Sequence, residues 1–172
     1  MSTLVKLDAE GSVMESKNIF ITRSGDETMA LAESFAGLVG PGDLIALIGE
    51  LGSGKTVFVK GLAKGLGVDD HKYVNSPSFV VVKEYSGKIP LYHFDVYRLC
   101  GKLFCETMDH DRYFYSEGIS VVEWADKIRD VLPEDYIEVV MEYGEGDERV
   151  VKFNAVGERS KNIIKKFIER RK

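Results

Sequence analysis

The stretch that most restricts what this chain can fold into is "IALIGELGSGKTVFVKGLAKGLG", residues 45–67. An apolar run enters a glycine-rich turn, and a helical pattern leaves it. Inside it, Gly49-Glu50-Leu51-Gly52-Ser53-Gly54-Lys55-Thr56 fits G-x-x-x-x-G-K-[ST], a pattern in which each residue type has a physical reason. Glycines let the backbone turn its N–H groups inward, and the following helix aims the positive end of its dipole at the same point. A polyphosphate satisfies both. In such a cradle Lys55 reaches the β and γ phosphates and the Thr56 hydroxyl ligates Mg²⁺. At average composition the bare pattern arises by chance in roughly one chain in a hundred of this length. The strand before it and the helix after it make accident rarer, and a ligand-free turn would explain neither Lys55 nor Thr56.

The rest of the chain supplies the frame such a loop needs. "LIALIG" (44–49) is apolar throughout, as a strand is when both its faces are covered. A helix is expected from about Gly54 to Leu66, stopped by Gly67. Upstream, "NIFITR" (18–23) reads as a strand, and Ser24 and Glu27 stand at capping-box spacing before a helix. Downstream, strands are expected over 79–85, 90–94, 119–124, 136–143 and 149–156. The last two flank "GEGDE", a hairpin loop, so this part of the sheet should be antiparallel. Strands alternating with helices early and a hairpin late predict an α/β fold: a P-loop NTPase-like three-layer sandwich with a mixed, partly antiparallel sheet. At 172 residues the chain suits one domain, with residues 1–17 as an N-terminal extension and 158–172 as a basic C-terminal helix.

A phosphate loop needs carboxylates for its metal and for the attacking water, standing at the ends of neighbouring strands. Asp95, after "PLYHF", and Glu123, after "ISVV", are so placed; an acid in that position is also a common solvated turn residue. "NSPSF" (75–79) has Pro77 forcing an extended entry and two serine hydroxyls. It reads either as a mobile segment that senses the γ-phosphate or as an ordinary loop into a strand. Trp124, the single tryptophan, follows Glu123. As a strand neighbour it should face the other way or, where the strand ends, lie against the adjacent segment, as a core anchor or as part of an element that shifts with nucleotide.

Composition excludes more than it selects. Apolar residues make 44% and charged residues 30% of the chain, near globular averages. No apolar run approaches the ~20 residues of a membrane span, and the first residues lack the features of a signal peptide, which points to the cytoplasm. A net charge of −5 speaks against a general nucleic-acid or DNA binder. The segment 160–172 runs the other way, with six basic side chains and one acid. That is either a terminal helix with cations where its dipole welcomes them or a contact for RNA or an acidic partner. Cys100 and Cys105, without metal-ligand spacing around them, read as reduced thiols.

Taken in order, "GELGSGKT", "SPSF", "HFDVYRL" (93–99) and "VVEWADK" (121–127) resemble the TsaE (YjeE) family, the small P-loop ATPase of tRNA threonylcarbamoyladenosine biosynthesis. The resemblance runs from about Ile19 to Ala155. It implies ATP held by Leu51, Gly52, Ser53, Gly54, Lys55 and Thr56, Mg²⁺ on Thr56 and Glu123, and Lys55, Asp95 and Glu123 as catalytic residues. Ser76-Pro77-Ser78 would be a first switch. It also implies work with the TsaD and TsaB proteins, reaching tRNA through that complex. Glu50 stands where the family has Asp and Ser78 where it has Thr, and residues 100–118 are more aromatic and less acidic than the family's. A P-loop small-molecule kinase is the rival reading, disfavoured because only Arg98 and Arg112 lie between the loop and Glu123.

Overall fold

The computed structural model describes residues 6–7, 13–14 and 17–171. Most of the N-terminal extension expected over 1–17 lies outside the described residues; β1 (Lys6–Leu7) and β2 (Val13–Met14) pair antiparallel apart from the main sheet. The main chain path then runs β3 (Ile19–Thr22), α1 (Gly25–Ala36), β4 (Leu44–Ile48), α2 (Lys55–Gly65), β5 (Val82–Tyr85), β6 (Leu91–Asp95), α3 (Gly101–Thr107), α4 (Asp111–Phe114), β7 (Ile119–Glu123), β8 (Tyr136–Tyr143), β9 (Arg149–Val156) and α5 (Glu158–Glu169). Short 3₁₀ segments occupy His71–Tyr73 and Ala125–Val131.

Because β4 is apolar on both faces it takes the middle of a seven-stranded sheet, order β3-β9-β8-β4-β7-β6-β5. Strands β8, β4, β7 and β6 are parallel, while β5, β9 and β3 are antiparallel additions at the two sides. Alternation along β4 feeds two cores. Ile45 and Leu47 join α1, α2 and α5 through Leu31, Phe35, Phe58, Leu62 and Phe167. Leu44 and Ala46 join Phe94, Phe104, Phe114 and Ile128 on the other face. Two cores on one sheet make the three-layer sandwich.

Local chemistry explains the ends. Ser24 caps α1 by accepting the Glu27 N–H at 3.1 Å, and the Glu27 carboxylate takes the Arg23 N–H at 2.7 Å. Most of the basic C-terminal segment is α5, which buries Ile163, Ile164 and Phe167 and turns Lys161, Lys165 and Lys166 outward; the exposed Arg170 and Arg171 follow it. Both cysteines are free and exposed. Among the described residues no helix is long and apolar enough to cross a membrane.

Two expected strands are cut short by left-handed backbone. The strand expected from Phe79 begins only at Val82, because the Pro77 carbonyl accepts the N–H groups of Val80 (3.0 Å) and Val81 (2.8 Å). That turn puts Val81 in the left-handed region at φ 68°. The strand expected through Trp124 stops at Glu123, since Trp124 is left-handed too, at φ 64°. Residues 100–118, which sequence left without elements, fold as α3 and α4 against the second core.

The α1–α2 contact brings α2 to its place, and it is made without side-chain atoms at Gly61. A Cβ there would stand 2.2 Å from the Met29 carbonyl oxygen and 2.7 Å from Ala32 Cβ. Gly61→Ala should therefore lower unfolding free energy by about 1–3 kcal/mol in urea titration, the usual cost of overpacking. An unchanged midpoint would contradict this packing.

Candidate functional site

Parallel register brings the functional side chains to one level. On β7, Glu123 is the register partner of Leu47 on β4 and of Asp95 on β6. Both acids thus end their strands, Asp95 5% exposed and Glu123 3%, beside the loop that leaves β4. Neither is a solvated turn residue.

The loop itself is packed tightly against β8. A Cβ at Gly49 would lie 2.3 Å from the Met141 carbonyl oxygen and 2.7 Å from Ser53 Oγ, so only glycine fits. Gly54, left-handed at φ 101°, starts α2. Tyr143 Oη donates to the Leu51 carbonyl at 2.6 Å and ties the loop to the end of β8. Ser53 is buried, and its Oγ has no hydrogen-bond partner among the described residues. A buried, unpaired hydroxyl is costly unless something polar meets it, and a phosphate oxygen seated at the loop would meet it.

Lys55 is buried at the foot of the loop. Its Nζ donates to the Gly49 (2.7 Å) and Glu50 (2.8 Å) carbonyls and lies 3.8 Å from the centroid of the Trp124 ring. Burial lowers its pKa below the ordinary lysine value, and the carboxylates of Glu123, Asp95 and Asp126 pull the other way. The ammonium thus sits in the field of both site acids.

Two hydrogen-bonded groups surround those acids. Thr56 Oγ1 donates to Glu123 at 2.9 Å (Oε1) and 3.1 Å (Oε2), and His93 Nε2 meets Oε1 at 2.8 Å. Asp95 Oδ2 accepts from Ser78 Oγ at 2.8 Å and from Ser76 Oγ, and its Oδ1 takes the Tyr97 N–H at 2.9 Å. Lys55, Thr56, Asp95, Glu123 and the two serines therefore converge. The serines of the expected switch are tethered to Asp95, so moving that segment must also change the partners of the acid. Among the described residues no three His, Cys, Asp or Glu side chains form a metal cage. A hydroxyl and a carboxylate in contact fit Mg²⁺ that arrives with phosphates, which needs one or two protein ligands and no cage.

Trp124 follows the second of its expected placements: the strand ends at Glu123, and the ring lies against the adjacent segment and the second core. Its left-handed backbone turns the half-buried ring back over Lys55 and against Tyr97, ring centroids 4.9 Å apart. Sequence reasoning missed His93, Tyr97 and Tyr143 as site neighbours. His93 had a visible signal, standing two residues before Asp95 and hence on the same face of a strand.

The ammonium over the indole yields a direct optical check. With a single tryptophan in the chain, Lys55→Met should shift the intensity or maximum of emission without any added ligand. Superimposable spectra of two equally folded proteins would contradict the stacking.

Comparison with known proteins follows the same geometry. The family model for threonylcarbamoyl adenosine biosynthesis protein TsaE matches residues 22–151, a span that holds the loop, the serine segment, both acids and Tyr143. The protein of Bacillus subtilis named tRNA threonylcarbamoyladenosine biosynthesis protein TsaE is 44% identical over 139 residues, 80% of this chain and 85% of that one. Its namesake from Aquifex aeolicus is 41% identical over 115 residues, 66% of this chain and 81% of that one. The crystal structure of Bacillus subtilis YdiB superposes with a TM-score of 0.75 at 35% identity, covering 90% of this chain and 95% of that chain. With the family pattern running from the end of β3 into β9 and these relatives matching most of their own length, the chain belongs to the TsaE family.

Proposed function

We propose that this chain binds ATP with Mg²⁺ and hydrolyses it in the formation of threonylcarbamoyladenosine next to the tRNA anticodon. Hydrolysis supports turnover of a complex of TsaB and TsaD proteins in the cytoplasm, and tRNA is reached through that complex. The observation that carries the chemistry is the convergence of Lys55, Thr56, Asp95 and Glu123 at the ends of three adjacent parallel strands. The names of the relatives support the pathway.

In this reading Leu51 to Thr56 hold the phosphates, with backbone N–H groups and the Lys55 ammonium opposing their charge. Thr56 and Glu123 hold the metal, which when bound offsets charge on the phosphoryl oxygens. Asp95 orients the attacking water or the metal's water shell. Its neighbours Ser76 and Ser78 supply the first switch, since they are the groups whose hydroxyls it holds.

Separate substitutions distinguish the acids. Glu123→Gln should raise the Mg²⁺ concentration needed for hydrolysis, whereas Asp95→Asn should lower the rate about 10²-fold or more while sparing nucleotide affinity. Basal hydrolysis should be slow and should rise on adding TsaB, TsaD and tRNA. Phosphate transfer to a metabolite, or hydrolysis indifferent to both substitutions, would overturn the proposal.

A further inference from the structure

His93 has no part in the proposed chemistry, yet it is the most completely buried polar side chain near it, at 0% exposure. On β6 it shares a face with Leu91 and Asp95, so it faces α2 together with Val121 and Glu123 of β7. Leu91 and Val121, its neighbours on that face, belong to the first hydrophobic core. An imidazole in such a place costs free energy that an apolar residue would not, unless its hydrogen bond is needed.

That bond is specific. Nε2 lies 2.8 Å from Glu123 Oε1, and a carboxylate only accepts, so the shared proton belongs to the imidazole. Nδ1 is buried with no partner among the described residues. The Tyr85 ring lies beside the imidazole, tilted 32° with centroids 6.5 Å apart. His93 therefore makes one directed contact. Glu123 is gripped from two sides, by Thr56 on α2 and by His93 on β6, and both grips meet at Oε1. With only 3% of the glutamate exposed, these donors set which way its carboxylate points.

We propose that His93 is a positioning residue that fixes the orientation of Glu123 and thereby the affinity of the site for the divalent cation. The inference rests on the reading of Thr56 and Glu123 as metal ligands. Partners that orient a ligand in this way typically contribute 10- to 100-fold in metal affinity.

Two variants test it. The amide nitrogen of His93→Gln reaches about as far as Nε2, whereas that of His93→Asn ends near the position of Nδ1 and cannot span to Glu123. Binding of a fluorescent ADP analogue, titrated with Mg²⁺, gives the cation midpoint; the same titration in EDTA gives metal-free affinity, and urea unfolding gives stability. His93→Asn should raise the Mg²⁺ midpoint about 10- to 100-fold with metal-free affinity unchanged, and His93→Gln should restore most of it. A wild-type midpoint in His93→Asn would overturn the role of His93, as would equal losses in both variants tracking stability. Wild-type binding indifferent to Mg²⁺ would instead overturn the reading of the metal site, and the positioning role with it.

Discussion

Everything at this site depends on parallel pairing of β6, β7 and β4. Parallel strands in register finish together, so Asp95, Glu123 and the entry to the glycine loop emerge side by side from a sheet covered on both faces. Sequence separation is no obstacle: Thr56 and Glu123 are 67 residues apart, and their side chains touch. Had β7 slipped by one residue, Glu123 would face the second core and Val122 the loop. The apolar residues that hold this register, Ile45 and Leu47 to one side and Ala46 and Val122 to the other, are as much a part of the site as the polar ones.

Burial gives the site its character. Carboxylates with almost no access to water keep their place only through donors, and each acid here has several: a hydroxyl and an imidazole for Glu123, two hydroxyls and a backbone N–H for Asp95. Strain lies next to them. Val81 and Trp124 are the two left-handed non-glycine residues among those described, and each borders an acid. The Val81 carbonyl accepts the Asp95 N–H at 2.9 Å, and Trp124 follows Glu123 directly. Such conformations cost on the order of 1–3 kcal/mol each and persist where surroundings over-determine them. They also aim the Trp124 ring at Lys55 and leave Phe79 and Val80 exposed on the turn between the switch serines and β5.

Much of this was legible beforehand, for reasons that differ by element. The loop was readable because glycine, lysine and threonine at fixed spacing have a joint meaning that composition alone does not supply. Strands β4, β8 and β9 were readable because unbroken or alternating apolar runs have one stable solution each. The acids were readable as strand ends, while their pairing required the register, which no local pattern specifies. Where sequence misled, a backbone carbonyl or a left-handed residue was responsible: Pro77 captured two N–H groups of an apparent strand, and Trp124 bent out of another. For His93 sequence alone does not decide: a histidine in an apolar run is ordinarily a core residue, and the 2.8 Å contact with Glu123 separates the cases.

Central to the account is that one polyphosphate binds at the loop and that Lys55 meets it. Calorimetric titration of ATP with Mg²⁺ into the wild type and into Lys55→Ala tests this most directly. One site per chain is predicted, with affinity in the variant lower by about 1.5–3 kcal/mol, the range for a lost charged hydrogen bond, and the variant still unfolding cooperatively. Equal affinity in the two proteins, or no binding by a folded wild type, would contradict it.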